Sequence, residues 1–131
     1  MPFLWVVKKI ISHAEKNNGK SSDSRTSTPI TFDVLVIYTS EAGSSVSDPV
    51  VNLINQSEQD TKDIYNKSLI GQYIKLNVIH IQEDDTYVED PSMGVNLERF
   101  SNTTDSYFTY IHDLRNQYGA DIVILITAGG G

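Results

Sequence analysis

The sequence predicts an α/β fold built on a mainly parallel sheet. Two apolar runs carry that reading: residues 32–38 (FDVLVIY) and 121–127 (DIVILIT), each rich in β-branched and aromatic side chains and each holding a single aspartate, Asp33 or Asp121. Strands covered on both faces read this way, because neither face alternates with solvent. A third observation joins them. The second run follows directly on a helical pattern, so the two runs are expected to be parallel neighbours linked by right-handed crossovers.

The 131 residues suit one domain with a core of its own. No run approaches the roughly 18 apolar residues that cross a bilayer, so no membrane span is expected. Residues 1–30 carry Lys8, Lys9, Lys16, Lys20 and Arg25 against Glu15 and Asp23, a net +3, which leaves −10 of the total −7 on residues 31–131. A body this acidic argues against nucleic acid as a partner, because binding phosphates needs clustered Lys and Arg. The absence of cysteine excludes a disulfide framework and a thiolate metal site.

Residues 1–11 set an apolar stretch before Lys8 and Lys9, the reverse of a secretory leader, with no small-residue cleavage site. Residues 17–29 are rich in Ser, Thr and Asn, with little to bury. Residues 1–30 therefore read as a basic, flexible segment, and residues 31–131 as the folded domain. After the first strand, residues 39–47 read as a polar loop. Asp48 and Pro49 then give an N-cap and a proline at the first helical position. Val51, Ile54, Thr61, Ile64 and Tyr65 fall near one helical face, with Gly71 as the stop.

From Tyr73 the period changes to two: Ile74, Leu76 and Val78 alternate with polar neighbours, as in a half-exposed edge strand. An acidic turn at Glu83, Asp84 and Asp85 and the Glu89-Asp90-Pro91 step close it. A short helical turn at residues 95–100 comes next. Asp105 can cap a further helix bearing Tyr107, Ile111, Leu114 and Tyr118, which Gly119 ends. The expected architecture is a three-layer sandwich with helices on both faces and strand order 2-1-3.

No constellation of residues nominates a site. His13, His80 and His112 are the only histidines, and no two are four apart, so a paired-imidazole helical zinc site is absent from the sequence. His80 and His112 read as structural or solvated residues. Glu83, Asp84, Asp85, Glu89 and Asp90 are the densest carboxylate cluster, but they lack the ligand spacing of a calcium loop and read as a solvated turn. Gly129, Gly130 and Gly131 follow the last strand, with no helix after them to meet a phosphate. Ser40, Ser44 and Ser45 lie in no nucleophile elbow. The catalytic, metal and cofactor-binding sets are therefore each empty in this chain.

Several segments nevertheless resemble the front half of a metzincin-type, reprolysin-like zinc metalloprotease domain. These are residues 33–39 (DVLVIYT) with Glu41 and Ala42, 53–56 (LINQ), 65–68 (YNKS), 97–100 (LERF) and, most specifically, 114–123 (LRNQYGADIV). The resemblance spans about residues 31–128. It implies a zincin-like N-terminal subdomain, here incomplete, of a secreted endopeptidase whose full-length relatives use zinc to hydrolyse peptide or protein substrates. In that family an antiparallel edge strand and a helix with an HExxHxxGxxH motif come next. Neither is in this sequence, so no catalytic residue carries over and the 131 residues alone are expected to be inactive. The alternative is a flavodoxin-like or Rossmann-like module without catalysis, binding a ligand or a protein where Thr39, Ser40 and residues 128–131 line a cleft.

Overall fold

The computed structural model describes residues 5–10 and 29–129. In chain order these form β1 (Trp5–Ile10), β2 (Ile30–Thr39), α1 (Ser40–Ser44), α2 (Val50–Lys67), β3 (Ile74–Asp84), α3 (Met93–Ser101), α4 (Tyr110–Tyr118) and β4 (Ile122–Thr127). The sheet runs β1-β4-β2-β3. β2 is parallel to β3 and to β4, which is the expected 2-1-3 core, and β1 lies antiparallel on the outer side of β4.

The apolar run of β2 explains its central place. Val34, Leu35, Val36 and Ile37 are all essentially buried, and successive side chains enter opposite faces. Leu35 and Ile37 pack with Val123 and Leu125 of β4 under Phe100, Phe108 and Ile111. Val34 and Val36 pack with Ile122 and Ile126 under Val50 and Ile54 of α2 and Ala42 of α1. One strand thus holds two helical layers together.

The helix ends refine the expected ones. α2 starts at Val50, with Pro49 in the cap position and no side-chain cap bond. It closes through Leu69, which adopts a left-handed φ of 63°, while the N–H groups of Ile70 and Gly71 donate to the Tyr65 carbonyl. Gly71 serves a different need from that of a helix stop. A Cβ there would crowd the Asn66 side chain, so glycine eases the close passage of the chain against the end of the helix. At α4 the expected stop holds, with Gly119 left-handed at φ 68°. That helix begins only at Tyr110, because Asn102 and Asp105 turn the preceding chain by accepting N–H groups of Thr104 and Tyr107.

Two elements lie beyond what the pattern predicts. α1 forms within the expected polar loop, nucleated by Thr39, whose Oγ1 accepts the Ala42 N–H at 3.0 Å. β1 pairs six residues with β4, from Trp5 opposite Thr127 to Ile10 opposite Ile122, and so covers what would otherwise be the bare edge of a strongly apolar strand. Of residues 17–29, read as linker, all but Pro29 lie outside the described residues.

β3 is the edge strand that its half-polar pattern predicts, and it is blunted in two ways. Its register with β2 slips between Val34 and Leu35, so Ile79 is an inserted residue. In addition, Glu58 of α2 accepts the Val78 N–H at 2.6 Å while its other oxygen pairs with Lys62 at 2.7 Å.

Two outcomes follow. Leu35→Ala should lower stability by about 3 kcal/mol, read from urea unfolding, because it empties the middle of a packed cluster. Glu58→Ala should release the Val78 amide, and size-exclusion chromatography should then show more concentration-dependent association than for the parent chain.

Candidate functional site

In an open α/β sheet the crevice for ligands lies at the carboxyl ends of the strands, where successive connections leave toward opposite faces. Here that point falls between β2 and β4. The chain leaves β2 toward α1 and α2, and arrives at β4 from α3 and α4. The crevice is lined by Thr39 at the end of β2 and by Ala128 and Gly129 beyond β4.

A carboxylate from a third segment fills it. Thr39 Oγ1 donates to Glu89 Oε1 at 2.5 Å, the Ala128 N–H donates to the same oxygen at 2.7 Å, and the Gly129 N–H donates to Oε2 at 3.3 Å. The Glu89 N–H in turn donates to Glu41 Oε2 at 3.1 Å. Thr39 is fully buried and acts twice: it accepts from Ala42 N–H and donates to Glu89. Its position as the N-cap of α1 is what aims its hydroxyl.

Glu89 is held over the crevice by a loop that is anchored independently of it. Asp84 Oδ1 accepts the N–H and hydroxyl of Thr86, at 3.0 and 2.9 Å, and the N–H of Tyr87 at 2.9 Å. Asp84 Oδ2 accepts the Tyr110 hydroxyl at 2.8 Å. Buried Asn96 accepts the Tyr87 hydroxyl and the Asp90 N–H, and donates to the Asp90 carbonyl. The Tyr87 ring packs 4.3 Å from that of Phe108. Tyr87 and Asn96 thus fasten the loop to the core on either side of Glu89.

Asp84 and its partner Tyr110 are both displaced from their ordinary values. Burial alone would push the Asp84 carboxyl up, but the bonds from Tyr110, Thr86 and Tyr87 outweigh it and hold the group below the usual carboxylate range. The Tyr110 phenol is pushed well above the usual tyrosine range, by burial first and then by Asp84.

The residues singled out in the sequence do not converge. His80 on β3 stacks on Tyr118, ring centroids 4.2 Å apart, and His112 lies on α4, half-buried. His13 is outside the described residues. The acidic cluster disperses: Asp84 is buried, Glu89 enters the crevice, Asp90 lies 3.8 Å from Arg99, and Asp85 is exposed. Ser44 and Ser45 bond to backbone carbonyls of α1. Thr39 and Ala128 do meet, with their donors spent on Glu89, and Gly130 and Gly131 lie outside the described residues. No group of three His, Asp or Glu that could hold a metal occurs among the described residues. These residues therefore do not fit a zinc centre, and no step is routed through one.

Sequence reasoning missed Glu89, Glu41, Asn96 and Asp84 as members of one network. The partners of Glu89 are backbone amides 39 and 40 positions away, and no local pattern signals such a contact.

The Asp84 network makes stability depend on acid. The folded value is depressed, so its contribution is fully present above the unfolded value of about 3.9 and is lost as pH falls through the lower folded value. Asp84→Asn should cost about 2 kcal/mol at neutral pH. The gap to the parent should close below about pH 4. Urea midpoints measured from pH 7 to pH 2.5 check both the size and the sign.

Known proteins similar to this chain are peptidyl-Asp metalloendopeptidases. One from a strain of Stenotrophomonas maltophilia is 30% identical over 99 residues, covering 76% of this chain and 23% of its own length. One from Xanthomonas campestris pv. campestris is 28% identical over 112 residues, 84% of this chain and 26% of its own. A second Stenotrophomonas maltophilia strain supplies another at 27% over 116 residues, 88% and 27%. No family model and no solved structure matches the chain. The chain spans about a quarter of the length of the curated relatives it matches, and over that span it is a metallopeptidase-like α/β domain.

Proposed function

We propose that the chain is the N-terminal α/β portion of a secreted zinc-dependent endopeptidase of the metzincin, reprolysin-like kind. It supplies the sheet against which a metal-bearing segment packs. The observation that carries this is the similarity of most of the chain to about a quarter of three peptidyl-Asp metalloendopeptidases. The parallel β3-β2-β4 core supports it, as a frame whose carboxyl ends lie together. In this reading zinc and its ligands come from residues other than the 131, and the substrate is a peptide or protein. In this reading the 131 residues are inactive by themselves, since a zinc endopeptidase activates its water on an open metal position and no group of three His, Asp or Glu that could hold a metal occurs among the described residues.

The test joins residues 1–129 to the part of a peptidyl-Asp metalloendopeptidase that follows the matched region. The chimaera should cleave an Asp-containing peptide, and a chelator should abolish the cleavage. The 131-residue chain supplied with zinc should leave the same peptide intact. Chelator-sensitive cleavage by the chain alone would end the inactivity claim, and a well-folded chimaera without activity would end the scaffold reading.

A further inference from the structure

We propose that the donors at the exits of β2 and β4 form a binding site for a carboxylate, with Glu89 as its built-in occupant. An outside carboxylate takes the site when Glu89 is withdrawn. Three features carry this. The donors converge on one carboxylate from two strands: Thr39 Oγ1 at 2.5 Å, Ala128 N–H at 2.7 Å and Gly129 N–H at 3.3 Å. All three are neutral and fixed by the fold, two as backbone amides and one as a buried N-cap, so they are preorganised for an acceptor-only group. They would remain unpaired donors if nothing filled the site.

The site also has a way in. A Cβ built on Gly129 would meet no atom of the described residues within 4 Å, so among them the approach beside that residue is open. Glu89 itself is half-buried, and the preceding Val88 is 71% exposed. The loop holding Glu89 has its anchors elsewhere, at Asp84 and Asn96. Withdrawal of one side chain therefore does not require those anchors to break.

Charge limits the affinity. Glu41 lies beside the site, its carboxylate engaged by the Glu89 N–H, and it repels an incoming anion. Glu89, being tethered, competes at a high effective concentration. The parent chain is thus closed to free carboxylates, and opening requires the Glu89 side chain to swing out of the crevice while Asn96 keeps its hold on Asp90.

One part rests on the peptidase reading: the outside carboxylate is an acidic side chain of a bound peptide. The test separates that part from the site itself. Amide resonances of Ala128 and Gly129 are followed by NMR in the parent chain and in Glu89→Ala, titrated with acetate, with a short Asp-containing peptide and with its Asn counterpart. Glu89→Ala should show saturable shifts at both amides with acetate and with the Asp peptide, and none with the Asn peptide. The parent should respond at least about tenfold more weakly. Adding Thr39→Val to Glu89→Ala should weaken acetate binding roughly tenfold, the loss of one bond to a charged group. Should Glu89→Ala fail to fold, Glu89→Gln keeps the shape, and because its neutral amide is a weaker occupant than a carboxylate it should show saturable acetate shifts at Ala128 and Gly129 larger than the parent's, whereas no gain over the parent would overturn the site.

An absence of saturable shifts in a folded Glu89→Ala would overturn the site. Equal response in the parent would overturn the role of Glu89 as occupant. Response to acetate without response to the Asp peptide would leave the carboxylate site standing and remove the acidic-peptide assignment, independently of whether the chimaera is active.

Discussion

The double burial of β2 is the constraint on which the other elements depend. Val34 and Val36 enter one layer and Leu35 and Ile37 the other, so every helix that packs on the sheet packs against this strand or its direct neighbours. A strand with no solvent face cannot slip by one residue without moving its whole apolar set to the opposite layer. Its register with β4, Val34 opposite Ile122 to Tyr38 opposite Ile126, is therefore fixed by packing on both sides. That register brings Thr39 level with the exit of β4, and the crevice follows from it.

What is fixed in the middle must be managed at the rims, and the chain treats its two sheet edges differently. On β3 the inserted Ile79 and the Glu58 carboxylate interrupt the row of ladder groups within the domain itself. On β4 the sequence, IVILIT, has no charge to blunt it, and cover comes instead from a separate strand, β1. The difference reflects position. β3 alternates polar residues because one side meets solvent, whereas β4 is as apolar as an interior strand and needs a neighbour on its outer side.

Much of this frame was legible in the sequence, because it rests on local periodicity. The two apolar runs, the alternating edge strand and the left-handed Gly119 each carry their signal within a few residues. Other features depend on distant partners. β1 is six residues that include two lysines, and nothing near it in sequence says that β4 will have a free edge. Gly71 looked like a helix stop, but the left-handed position belongs to Leu69, and glycine at 71 instead eases the close approach of the Asn66 side chain. The acidic run from Glu83 to Asp90 read as one solvated turn. Its members separate because Asp84 and Glu89 each find donors that outbid water: a phenol and turn amides for the first, a threonine and strand-exit amides for the second.

That separation bears on how the carboxylates should be understood. Five acidic residues in eight positions invite a cation-site reading, yet the two that are drawn inward face hydrogen-bond donors and lie apart from one another's oxygens. A carboxylate whose lone pairs are taken by N–H and O–H groups has little left for a metal. Asp84 uses both oxygens to shape the loop, and Glu89 uses both to close the crevice. The chemistry available at the carboxyl ends of β2 and β4 is therefore recognition of negative charge by fixed dipoles.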